Sequence, residues 1–146
     1  MEYIIRNMQE VDREAVLEMM RPFYASEAVL TDGSEEIFQA DIDHCVGPSP
    51  YAEGFIFEAE QKVVGYAMIA KSYSTEFGKP CIWIEDLYVK ADYRRQGIAR
   101  SFFRHVEQAY PNSIYRLEVE RENLQARKVY TTCGFTELPY MEMKKS

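Results

Sequence analysis

The sequence predicts a mixed α/β fold built as one domain over residues 1–146. Three observations predict it. Runs rich in β-branched and aromatic residues alternate with segments whose apolar residues recur at three-to-four spacing. Two of the strand-like runs, 54–60 and 63–71, lie too close together for a helix between them, so they read as an antiparallel hairpin. No repeat, linker or low-complexity tract divides the chain, and 47% apolar residues suffice for one sizeable core.

Taken in order, Glu2-Tyr3-Ile4-Ile5-Arg6 reads as a first strand. Val11, Ala15, Val16, Met19 and Met20 then form a helical stripe from Gln9 to Met20, which Pro22 helps to end. Ser34 is an N-cap candidate for a second helix, with Glu35 and Glu36 favourable in its first turn. Its buried side comprises Ile37, Phe38, Ile42 and Cys45, and Gly47-Pro48-Ser49-Pro50 breaks it. The hairpin follows, with Gln61-Lys62 as its turn, and then a polar loop from Ser72 to Pro80. Cys81 to Val89 reads as a mostly buried strand.

After that strand the period changes. Ile98, Phe102, Val106 and Ala109, flanked by Ala99, Phe103 and Tyr110, mark an amphipathic helix that Pro111-Asn112 stops. Arg94-Arg95-Gln96-Gly97-Ile98-Ala99 therefore sits where a strand gives way to a helix. A helix start has N–H groups without internal partners, glycine lets a ligand approach the backbone closely, and Arg94, Arg95, Arg100 and Arg104 add positive field. An anion such as a phosphate fits there. Neither G-x-x-x-x-G-K-[ST] nor G-x-G-x-x-G occurs, which removes the P-loop and dinucleotide fingerprints. Ile114 to Val119 is a further strand, Asn123 caps a helix whose Ala126, Val129, Tyr130 and Cys133 share one face, and Gly134 supplies its left-handed stop. A strand after Gly134 and the alternating Tyr140-Met141-Glu142-Met143-Lys144 complete the order.

Composition excludes several classes. The net charge of −7 disfavours nucleic acid as a partner. The absence of a long apolar run or a signal-like N-terminus leads us to expect no membrane association and a cytoplasmic protein. Cys45, Cys81 and Cys133 are odd in number and not closely paired, and with only His44 and His105 beside them no metal is expected. Charge is unevenly spread. Between Pro22 and Gln61 stand Glu27, Asp32, Glu35, Glu36, Asp41, Asp43, Glu53, Glu58 and Glu60 with no Lys or Arg, while Lys90 to Arg104 carries five bases against Asp92. A polyanion at the basic helix start and a cationic acceptor near the acidic half fit that asymmetry.

The strand–loop–helix Arg-x-x-Gly-x-Ala, followed by Asn123, Ala126, Tyr130 and Gly134-Phe135 at their spacing, resembles the two signatures of the GNAT superfamily of N-acetyltransferases. The likeness extends along nearly the whole chain. It implies a central, mostly antiparallel twisted sheet flanked by about four helices, and acetyl-CoA as cosubstrate. It further implies that backbone groups of Leu87, Tyr88 and Val89 hold the pantetheine arm and polarise the acetyl carbonyl. Arg94, Arg95, Gln96, Gly97, Ile98, Ala99 and Arg100 would receive the pyrophosphate, and Asn123 and Ala126 would contact the cofactor from the second helix. The matching tyrosine of the family stands beside the cofactor sulfur as general acid, a role that passes to Tyr130.

Acetyl transfer to an amine needs a neutral nucleophile, because an alkylammonium of pKa about 10.4 is mostly unreactive at neutral pH. Glu85 is the candidate base, directly or through one water; strand parity puts it on the face of Trp83, Leu87 and Val89, where apolar neighbours would raise its pKa. The other reading of Glu85 is an acceptor-binding or structural carboxylate. Asp86 has the opposite parity and reads as a helix-facing or capping partner unless a bulge interrupts the strand. Cys133 has no visible activating neighbour, so direct transfer in a ternary complex is expected rather than an acyl-enzyme.

Ile84-Glu85-Asp86-Leu87-Tyr88-Val89, with Tyr93-Arg94 beyond, is similar to the diamine (spermidine/spermine) acetyltransferase branch. The acceptor read from this is a small cationic amine, and the assembly considered for the protein is a homodimer. The alternatives are a protein or peptide amine, with 72–80 and 32–50 as rims of a groove, and a non-catalytic acyl-CoA sensor.

Overall fold

The computed structural model describes residues 2–146. Five strands form one sheet in the order β1-β2-β3-β4-β5: β1 (Tyr3–Asn7), β2 (Ala52–Ala59), β3 (Lys62–Ser74), β4 (Lys79–Val89) and β5 (Ile114–Leu117). Neighbours pair antiparallel up to β4, and β4 pairs parallel with β5. That parallel step requires a crossover, which α3 (Ile98–Ala109) provides. The mixed sheet and the four α-helices agree with the expected fold class.

Both faces of the sheet are covered. On one, Phe55, Phe57, Ile69, Ile82 and Ile84 pack with Phe102, Phe103 and Val106 of α3, and Tyr130 of α4 (Leu124–Thr132) joins from the margin. On the other, Ile56, Tyr66 and Met68 meet Val16, Leu17 and Met20 of α1 (Arg13–Tyr24) and Phe38 and Ile42 of α2 (Glu35–Val46). Double coverage is why β2 and β3 read as continuous apolar runs rather than as strict alternation.

Several expectations need correction. Pro22 does not end α1, which continues to Tyr24. A proline loses its own N–H and crowds the carbonyl four residues back, yet burial of Phe23 holds the last turn in place. Val11 lies outside the stripe, 84% exposed in a 3-10 turn, Glu10–Asp12. Ile37 is exposed as well, although Ser34 caps α2 as expected, its hydroxyl accepting the Ile37 N–H at 3.2 Å. The β2–β3 turn is Glu60-Gln61, both at positive φ (53° and 65°), one residue before the place expected. Neither is the glycine or asparagine that usually marks such a turn. The Ser72–Pro80 loop shrinks to 75–78 because β3 and β4 run on beyond the covering helices, where both faces meet water and no apolar pattern is needed.

The two strands expected after α4 do not form, and the sheet has five strands rather than seven. From 135 onward no ladder takes up the backbone N–H and C=O groups of the described residues. Met141 and Met143, the apolar members of the alternation, are 87% and 90% exposed.

Candidate active site

β4 carries an extra residue. Met68 opposes Asp86 and Ile69 opposes Ile84, which leaves Glu85 unpaired in a bulge. The bulge reverses side-chain parity. Ile82 and Ile84 face α3 before it, and Leu87 and Val89 face α3 after it. Trp83 therefore does not share a face with Leu87 and Val89, and the parity argument for Glu85 fails; Trp83 instead lies under the Arg116 guanidinium, 4.5 Å from its ring centroid.

Pairing with β5 ends at the same point. Ile84 opposes Leu117, and beyond them β4 has no neighbour on that edge. Lys90 N–H bonds to Val64 C=O at 2.8 Å, so alternation commits the Tyr88 backbone to β3 and turns the backbone groups of Leu87 and Val89 toward the open edge. The Val89 carbonyl takes the Arg94 Nε–H at 2.7 Å, and the Arg94 guanidinium lies 5.5 Å from the Tyr88 ring centroid. Arg94 thus closes the end of the strand.

The gap between β4 and β5 opens into a cleft of about 710 Å³. Of the residues expected to be catalytic or cofactor-binding, all but Gln96 line it: Glu85, Leu87, Tyr88, Val89, Arg94, Arg95, Gly97, Ile98, Ala99, Arg100, Asn123, Ala126 and Tyr130. The Gln96 side-chain amide turns back to the Asp92 carbonyl, 3.5 Å away. The end of α1 supplies Pro22 and Phe23 to the rim.

At the start of α3, Arg95 and Gly97 both hold left-handed φ values, 64° and 81°. Ser101 N–H makes the bond to Gly97 C=O at 3.0 Å, so the N–H groups of Ile98, Ala99 and Arg100 precede the helical ladder. Tyr3 of β1 fixes this loop, its hydroxyl bonding the Gln96 carbonyl at 3.3 Å and the Ser101 hydroxyl at 3.0 Å. A preorganised set of donors with Arg95 and Arg100 beside it suits an anionic group.

Across the cleft, Asn123 caps α4, its side chain accepting the Ala126 N–H at 3.3 Å, and Gly134 at φ 99° follows the helix. The Tyr130 ring packs edge-on against Phe103 and Phe135, with centroids 6.1 and 6.2 Å away. Burial raises its pKa, and its hydroxyl makes no hydrogen bond among the described residues. A phenol kept protonated at the cleft wall can donate a proton.

Carboxylates gather around the bulge. Glu85 is exposed, yet it stands in a concave wall; partial desolvation raises its pKa, and Glu142 and Asp41 raise it further. Glu118, another lining residue, is pushed up to about 7, chiefly by a hydrogen bond shared with Glu142 and then by burial. Sequence reasoning missed the association of Glu118 and Glu142 with Glu85. They lie on segments far apart in the chain, and no spacing rule joins them.

The family model described as the acetyltransferase (GNAT) family matches residues 13–135. The chain belongs to that family. Among curated relatives of this GNAT acetyltransferase, the thialysine N-epsilon-acetyltransferase of Sus scrofa is 32% identical over 153 residues, spanning 95% of this chain and 87% of the relative. The Bos taurus protein of the same name is 31% identical over the same shares. A solved structure described as a possible acetyltransferase from Clostridium difficile 630 superposes with a TM-score of 0.82 at 21% identity, covering 99% of this chain and 97% of the other. The aminoglycoside acetyltransferase AAC(6')-Iy, solved with a bisubstrate analogue joining CoA to monomethyl-acetylneamine, gives 0.81 at 17% identity, covering 100% and 99%. These two likenesses concern the fold.

Proposed function

We propose that this GNAT protein transfers an acetyl group from acetyl-CoA directly to the primary amine of a small cationic acceptor. One observation carries the reading: a single cleft is lined by the donor-rich start of α3, by the open edge of β4 and by a cluster of carboxylates. The first suits a pyrophosphate, the second a pantetheine arm and the third an ammonium. The relatives named for thialysine, a small amine, support the same acceptor class.

Each residue then has a task. N–H groups at the start of α3 bind the pyrophosphate, with Gly97 leaving room for it. Asn123 and Ala126 hold the cofactor from α4. Glu85 takes a proton from the acceptor ammonium, and its raised pKa brings it nearer the range in which a base works at neutral pH. The freed amine forms a C–N bond at the thioester carbonyl while N–H groups of Leu87 and Val89 meet the developing oxyanion. As the C–S bond breaks, Tyr130 gives its proton to the departing sulfur. Glu118 and Glu142 attract cationic acceptors toward Glu85.

The test is acetyl-CoA-dependent thiol release against thialysine, spermidine, small diamines, amino acids, aminoglycosides and lysine peptides. Saturable turnover of small cationic amines supports the reading. Turnover of lysine peptides alone would overturn the acceptor assignment, and silence with acetyl-CoA still bound would overturn the reaction. Sedimentation of the active fraction would show whether it works as a homodimer.

A further inference from the structure

Asp86 is the one buried carboxylate beside the cleft that the proposed reaction leaves without a task. It is 3% exposed and does not line the cleft. Its two oxygens are both occupied, one accepting from the Tyr24 hydroxyl at 3.0 Å and the other from the Tyr66 hydroxyl at 2.7 Å. Tyr66 is fully buried, with the Phe23 ring edge-on at 6.2 Å; Tyr24 lies 5.1 Å from the Phe38 ring. The clamp spans α1, β3 and β4.

A carboxylate held this deep is costly even when hydrogen-bonded, and an apolar residue at the same place would be cheaper. What it provides is register. β4 must hold one residue more than β3 across the Met68/Ile69 step, and Glu85 and Asp86 compete for the unpaired place. Were Asp86 the extra residue, Glu85 would stand opposite Met68 and point into the tyrosine clamp, away from the cleft. Two phenol donors spaced for the shorter carboxylate select against that slip. The same clamp fastens Tyr24 beside Pro22 and Phe23, which line the cleft.

We propose that Asp86 is a positioning residue: clamped by Tyr24 and Tyr66, it fixes the β4 bulge in the register that turns Glu85 into the cleft and anchors the end of α1 there. This rests on the reading of Glu85 as the base. The groups facing Asp86 are Tyr24 from α1, Asp41 and Cys45 from α2, Tyr66 from β3 and its neighbour Glu85; none is a cation. Only the phenols support the ionised form, and burial pushes the Asp86 carboxyl up to about 6.

A double-mutant cycle tests the proposal, with thialysine and spermidine as acceptors and acetyl-CoA binding measured separately. Asp86→Asn and Tyr24→Phe should each lower kcat/KM for the acceptor by about tenfold or more, as small misplacements do, while acetyl-CoA affinity stays within about twofold. In a Glu85→Gln background the same changes should cost less than about twofold, because they act through a residue already disabled. Full multiplicative losses in that background would overturn the positioning role and leave Glu85 as base. Wild-type turnover by Glu85→Gln alone would overturn the base reading first and this inference with it. If Asp86→Asn does not fold, Tyr24→Phe, which removes one hydroxyl from a half-buried ring, carries the cycle unaided.

Discussion

The two halves of β4 differ in their pairing and in what their side chains face. From Cys81 to Ile84 the strand is paired on both edges, and Cys81, Ile82 and Ile84 are buried. From Glu85 to Val89 it is paired with β3 alone, and four of its five side chains line the cleft. One inserted residue separates the halves. The first half is scaffold, with every backbone group spoken for; the second has an open edge, a carboxylate of raised pKa and a phenol across the gap. Functional potential begins where pairing stops, since an unpaired backbone edge that is not closed by another strand is available to a ligand.

Substitutions should separate the halves cleanly. The largest effect expected is on the open half: Tyr130→Phe should lower kcat by about 10²–10⁴-fold, the range of a general acid's contribution, with little change in acetyl-CoA affinity. Rapid-quench or thiol-release kinetics beside calorimetric binding would show that split, and wild-type kcat would remove Tyr130 as the acid. On the closed half, Ile82→Ala should cost about 2–5 kcal/mol of stability through loss of a 2% exposed side chain from the core, while activity per folded molecule persists. Urea unfolding with activity measured below the transition would check it.

At the boundary, Asp86 links stability to pH. Its pKa is raised from 3.8 to about 6 in the folded chain. Its contribution is therefore fully present below the unfolded pKa and is lost as pH rises through the folded one. Asp86→Asn stays neutral throughout, so between pH 3.5 and 8 the stability difference should move toward the variant by about 3 kcal/mol, at 1.36 kcal/mol per pKa unit. Parallel denaturation curves at several pH values would measure this, and a constant gap would contradict it. The smallest effect belongs to Gly97→Ala. A side chain at φ 81° costs about 1–2 kcal/mol, and acetyl-CoA binding should weaken accordingly.

Much of this comparison was legible in the sequence. The change from strand to helix periodicity across residues 81–110, the capping Asn123 and the stop at Gly134 are local signals, and the structure carries each of them out. The bulge is not a local signal. Glu85 occupies it without a glycine to mark the kink, and only the register against Met68 and Ile69 exposes it, so parity counted through the strand put Glu85 with Trp83. The same limit hid the tyrosine clamp and the Glu118–Glu142 contact, whose members come from distant segments. The 140–144 alternation looked like a strand because period two is a property of side chains, whereas a strand also needs a partner for its backbone.

The most direct test is the pH dependence of kcat/KM for a small cationic amine in the native protein and in Glu85→Gln. The native profile should fall on the acidic side at a pH above that of an ordinary glutamate, because Glu85 must be ionised to accept a proton and its surroundings resist ionisation. Glu85→Gln should be slower and should lose that acidic limb. Superimposable profiles would contradict the account, placing the base elsewhere and leaving the bulge as a structural kink.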